Sequence, residues 1–232
     1  MTGNKEVRSF ICDVRAEEDE QRGAVIIGTP IVFDRWTDMG WYREMIRSVA
    51  LDGCDLKDVR FLTGHNTSMV PLARSRNNNE NSTMRLMVTP NGLDIRVVLD
   101  VENNVEARAL YSAIMRGDIT GMSFMMIVNK DKDIWTDVES DYPSREITSI
   151  LRVLEVSAVA FPAYEQTSIQ CASEDTALDS ARASLESARQ KLAEERAAEE
   201  AAEAAEQAAR AEEERRTAAL ERLNNLIGGI KA

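Results

Sequence analysis

Residues 117–130, GDITGMSFMMIVNK, decide what kind of fold this chain can adopt. Gly117 ends the helix that precedes it, and the run that follows is too apolar for a strand with one wet face. It reads as a mostly buried strand. Extended in this way, Ser123 points to the same face as Ile119, Gly121, Met125 and Ile127. A hydroxyl in that row needs a partner, because an unpaired buried polar group costs about 1–3 kcal/mol.

Upstream, Asn103 or Asn104 can cap a helix along which Val105, Ala109, Tyr111, Ile114 and Met115 fall near helical spacing. Before it, STMRLMVTPNGLDIRVVLD (82–100) predicts two strands joined by a turn. Pro90 presets one turn dihedral there, and Asn91 and Gly92 tolerate positive φ. RSFICDVR (8–15) and GAVIIGTPIVFD (23–34) carry the β-branched and aromatic residues of further strands. Downstream, REITSILRVLEVSAVAFPAY (145–164) predicts two more extended pieces, the second ended by Pro162. Many strands and one internal helix point to an α+β, mainly β fold, a curved sheet or small β-barrel with helices outside.

The composition changes near Cys171, which divides the chain into a domain over 1–172 and a helical tail over 173–232. SLESARQKLAEERAAEEAAEAAEQAARAEEERRTAALERL (184–223) is dominated by strong helix formers and has no Gly or Pro before Gly228. Leu178, Leu185 and Leu192 repeat every seven residues, and the seam then fades into alanine until Leu220, Leu223 and Ile227. Two readings stand: a solvated helix held by local charge pairs, or a coiled coil that self-associates.

The whole-chain totals exclude several functions. The 232 residues carry a formal charge of -12 with no long Lys/Arg block, which disfavours nucleic-acid binding and an anionic membrane surface. The N-terminus lacks a signal-peptide apolar stretch, and no segment holds about 18 uninterrupted apolar residues. Cys12, Cys54 and Cys171 are odd in number and scattered, so reduced thiols in a cytoplasm are the simple reading. With one histidine, His65, no zinc site is expected.

Three residues stand out chemically. Ser123 on its apolar strand is either a serine bonded to a nearby carbonyl or a nucleophile. Glu155 falls by alternation with Leu151, Val153, Ser157 and Val159, and is either an edge glutamate reaching solvent or a buried, paired acid. His65, just after VRFLTG, belongs to a strand end or loop, either as an ordinary lone histidine or as a base. Asp94, Asp100 and Asp118 are competing acids that turn or strand-end positions explain. Together, Ser123, His65 and Glu155 suit a hydrolytic triad of nucleophile, general base and orienting carboxylate.

Three motifs, FLTGHNTSMVPLARS (61–75), IMRGDITGMSFMM (114–126) and LEVSAVAFPAYEQTSI (154–169), make the chain resemble the prohead (capsid maturation) proteases of tailed phages, distant relatives of herpesvirus assemblins. The resemblance covers roughly residues 10–170 and omits the tail. It implies a serine endopeptidase on a small β-barrel with flanking helices, inside the assembling prohead in the host cytoplasm. There it would trim scaffold and capsid protein segments, and itself. It also implies Ser123 as nucleophile, His65 as general base and Glu155 as third member, with no cofactor. This chain departs from the pattern at Asn66, where relatives often have an acid, and at Met125, where they often have glycine. The alternative is a non-enzymatic capsid scaffold or assembly factor that acts through the C-terminal helix. A generic binding barrel with an oligomerisation arm is more remote.

Overall fold

The fold was obtained as a computed structural model, which describes residues 4–11, 14–20, 22–160 and 172–228. The buried run read from the sequence is strand β10 (Gly121–Val128), inside a five-stranded sheet. β1 (Asn4–Ile11) lies on one side of it and β13 (Ile150–Val159) on the other, both antiparallel. β6 (Asp58–Thr63) runs parallel to β13, and β7 (Ala73–Arg76) closes the order β1-β10-β13-β6-β7.

A second, antiparallel sheet has the order β2 (Val14–Asp19), β3 (Gly23–Val32), β9 (Gly92–Val98), β8 (Met84–Thr89). β8 and β9 are the hairpin expected around Pro90-Asn91. Gly92 is required there by close approach, since a Cβ at that position would lie 1.9 Å from the Ile31 carbonyl oxygen. β3 carries an irregularity between Gly28 and Ile31, where Pro30 has no N–H to donate, and the Thr29 hydroxyl donates to Asp94 Oδ1 at 2.6 Å. The third sheet has the order β11 (Ile134–Thr136), β12 (Ser144–Ile147), β5 (Arg43–Ile46), β4 (Thr37–Asp38).

Among the described residues no sheet closes into a barrel, which corrects the barrel expectation. The ladder breaks between β7 and β8. Asn77 and Asn78 take left-handed φ values of 54° and 51° and turn the chain away. The Asn78 side chain then takes the place of a strand: its amide donates to Leu86 O and its Oδ1 accepts from Leu86 N–H. The first two sheets share one core that includes Ile26, Ile31, Phe61, Leu93, Phe124 and Val156.

Helix α1 (Val105–Arg116) packs on this core. Of the two candidate caps, Asn104 is the one used, accepting from the Glu106 and Ala107 N–H groups, and Gly117 ends the helix at φ 77°. The buried stripe is Ala107, Leu110 and Ile114, while Val105 and Met115 face solvent. On a three-turn helix only one narrow face reaches the core, so part of the broader apolar set is left outside.

Between the first and third sheets lies a buried ionic cluster. Arg145 donates to Glu6, Glu44 and Asp133, while Arg8 donates to Glu6 and Glu44. Helix α2 spans Ala172–Gly228. The chain divides into two compact units, and its first unit runs to Leu185. In that unit Ala181 and Leu185 of α2 are buried, Ser180 donates to Glu6 at 2.7 Å, and Ser184 accepts from Trp135 Nε1–H at 2.9 Å. The second unit, from Glu186 onward, is helix with local charge pairs such as Arg210–Glu206, and its described side chains face solvent almost throughout.

Candidate active site

The local structure that positions the three candidate residues starts with β10. One of its faces, with Met122, Phe124, Met126 and Val128, fills the core; the other carries Ser123 and Met125. Ser123 stands directly across from Ser157 on β13, and Glu155 across from Met125. The register skips Leu154, so Glu155 pairs Met125 while Val153 pairs Met126. That bulge is why Val153 joins the core on the face opposite Glu155, where simple alternation grouped the two together.

His65 follows β6. Gly64 and His65 both adopt left-handed φ, 57° and 58°, uncommon for a residue with a Cβ, and the chain curls back over the sheet. Two bonds hold the curl: Gly64 N–H to Ala158 O at 3.0 Å and His65 N–H to Ser157 Oγ at 3.1 Å. The imidazole then bridges the other two candidates. Its Nδ1 lies 2.5 Å from Glu155 Oε1 and its Nε2 lies 2.5 Å from Ser123 Oγ.

The site is mostly buried. The Glu155 side chain is 3% exposed and that of His65 18%, while Ser123 is fully buried. The second carboxylate oxygen of Glu155 accepts from the Ser157 hydroxyl at 2.6 Å. Ser123 Oγ also lies 2.7 Å from the Arg8 carbonyl oxygen, on the neighbouring strand. Glu155 is therefore a buried, paired acid and not an edge residue. The competing acids are occupied elsewhere: Asp94 by Thr29, Asp100 by Asn103 at the entry to α1, and Asp118 by Arg116.

Two contributors escaped the sequence reading. Ser157 shares a strand face with Glu155 by alternation, so the signal for it is present in the sequence. The Arg8 carbonyl had none, since a backbone acceptor on an edge strand leaves no mark in side-chain identity. Among the described residues, no group of three or more His, Cys, Asp or Glu side chains is arranged to hold a metal ion. Among the same residues no helix is long and apolar enough to cross a membrane. Cys12 and Cys171 lie outside the described residues, as does Pro162.

Residues 11–180 match the family described as Caudovirus prohead serine protease. The chain belongs to that family. No curated protein sequence matches it. Among solved structures it is similar to the bacteriophage T4 capsid assembly protease, gp21, at 11% identity and a TM-score of 0.41, covering 68% of this chain and 99% of that one. The family match bears out the expected resemblance to phage prohead proteases.

Proposed function

We propose that this prohead protease family member is a serine endopeptidase in which Ser123 is the nucleophile, His65 the general base and Glu155 the orienting acid. The observation that carries the reading is the imidazole itself, 2.5 Å from Ser123 Oγ on one nitrogen and 2.5 Å from Glu155 Oε1 on the other. The proton accounting fits. A carboxylate only accepts, so it selects the Nδ1–H tautomer of neutral His65 and leaves the Nε2 lone pair facing Ser123. When His65 is doubly protonated, Nε2–H donates to Oγ and the hydroxyl turns to its other acceptor, Arg8 O.

In the forward reaction Ser123 Oγ bonds to the peptide carbonyl carbon as its proton passes to Nε2. The imidazolium, steadied by Glu155, then gives that proton to the leaving amine, and water resolves the acyl-enzyme by the same route. The proposed substrates are scaffold and capsid protein segments inside the assembling prohead, together with the chain's own exposed segments.

The helix beyond Leu185 is proposed as the arm that carries the protease to the shell. Truncation after Leu185 keeps the packed first turns, and equal packaging of that truncated chain would refute the arm's role. The catalytic reading is tested with an alkyl fluorophosphonate. Attack forms an Oγ–P bond and expels fluoride, so the expected adduct maps to Ser123 and is lost in Ser123→Ala and His65→Ala. Labelling that persists in both variants overturns the assignment.

A further inference from the structure

We propose that Ser157 is a positioning residue that sets the acid and the base of the site together. This rests on the catalytic reading of Ser123, His65 and Glu155. Ser157 lies on β13 between the strand of the nucleophile and the strand that leads to the base, across from Ser123 on one side and Leu62 on the other. It is fully buried. Its hydroxyl gives its one proton to Glu155 Oε2 at 2.6 Å and accepts the backbone N–H of His65 at 3.1 Å.

The direction of both bonds is fixed by the partners, because a carboxylate can only accept and a backbone N–H can only donate. The position therefore needs a small group that is donor and acceptor at once, which alanine and glycine lack. Each bond constrains a degree of freedom that matters to the imidazole. Held at Oε2, the Glu155 carboxylate cannot swing about its terminal torsion, so Oε1 stays aimed at Nδ1. Held at its N–H, His65 keeps the left-handed φ of 58° that brings its ring over Ser123. One hydroxyl thus ties the tautomer-setting acid to the backbone of the base, as outer-shell hydrogen bonds orient ligands in other sites.

A merely space-filling serine and a positioning serine are separable here because His65 is the only histidine among the 232 residues. Nitrogen-15 NMR of the imidazole therefore reports one ring without assignment, and its two nitrogen shifts give the tautomer directly. In the parent chain at slightly alkaline pH the Nδ1–H form is expected. In Ser157→Ala a mixture with Nε2–H is expected. The limiting rate of fluorophosphonate labelling should fall by about tenfold to a hundredfold, with the half-saturating concentration within about twofold. Ser157→Thr, which keeps the hydroxyl, should restore both readouts. Should Ser157→Ala not fold, Ser157→Cys, with a weaker donor of similar size, carries the same expectations.

A folded variant with parent-like nitrogen shifts, whatever its rate, overturns the proposal, and so does a shifted tautomer with an unchanged rate. A parent chain that the probe never labels sinks the protease reading instead. The NMR comparison would still decide whether Ser157 holds His65.

Discussion

Replacing Arg145 with methionine removes the centre of the buried ionic cluster while keeping an unbranched side chain of similar length. Arg145 is fully buried and makes five hydrogen bonds to three carboxylates: two to Glu6, one to Glu44 and two to Asp133. Without it, Glu6 and Glu44 keep only the charge of Arg8, and Asp133 loses the guanidinium that faces it. Breaking a buried ion pair in this one-sided way costs about 3–5 kcal/mol, because the partner charges remain desolvated. For a folded unit of this size each kcal/mol moves the melting midpoint by about 2–4 °C, so a fall of roughly 6–20 °C is expected.

The loss should also depend on pH in a defined direction. Burial pushes the Glu6 carboxyl up, but Arg8 and Arg145 overcome it and hold the group down at about 2, so its stabilisation is present above the ordinary carboxyl range and lost as pH falls toward that value. Burial raises Asp133 to about 6 against the pull of Arg145, so its contribution favours the fold at low pH and fades as pH rises through 6. Removing Arg145 takes away a lowering influence on both groups. The variant then binds more protons when folded, and its deficit is larger at pH 8 than at pH 5. Urea unfolding followed by tryptophan fluorescence measures this cleanly, since Trp36, Trp41 and Trp135 all lie in the first unit. A deficit below about 1 kcal/mol, the scale of an exposed pair, or one independent of pH, would refute the account of the cluster.

Two further expectations follow from local geometry. Gly92→Ala drives a Cβ to within 1.9 Å of the Ile31 carbonyl oxygen and should cost at least the roughly 1–3 kcal/mol of an overpacked core site. Gly117→Ala meets open space and suffers only its left-handed φ, so it should cost less in the same urea assay; the reverse order would contradict the close-approach argument. Burial pushes the Cys54 thiol up to about 12, so iodoacetamide at pH 8 should alkylate it at least about 100-fold more slowly in the folded chain than in urea. Equal rates, read by peptide mapping, would show the thiol to be freely ionised.

What the sequence disclosed was local, and what it withheld depended on partners far along the chain. Pro90-Asn91-Gly92 announced a hairpin and Asn104 and Gly117 bounded a helix because each acts on its own backbone. The interruption between β7 and β8 was invisible, because it comes from Asn78 bonding Leu86 after two left-handed asparagines. The bulge at Leu154 was equally hidden, since register is a property of two strands, and it is what separates Val153 from Glu155. Glu6 and Arg145 meet across 139 residues, so nothing in either neighbourhood foretold the cluster. Ser123, His65 and Glu155 were legible as candidates for a different reason. A hydroxyl and a carboxylate on apolar strands and a single imidazole are costly to place, and the family motifs around them give each a chemical use.

Whether Ser123 and His65 together cleave peptide bonds is decided by intact-mass spectrometry of the purified chain over time. The parent chain is incubated beside folded Ser123→Ala and His65→Ala versions, with and without the matching capsid protein. Discrete fragments of chain or capsid protein are expected from the parent alone, with masses that identify the cleaved bonds. Intact masses in every tube, or the same fragments from either variant, would contradict it.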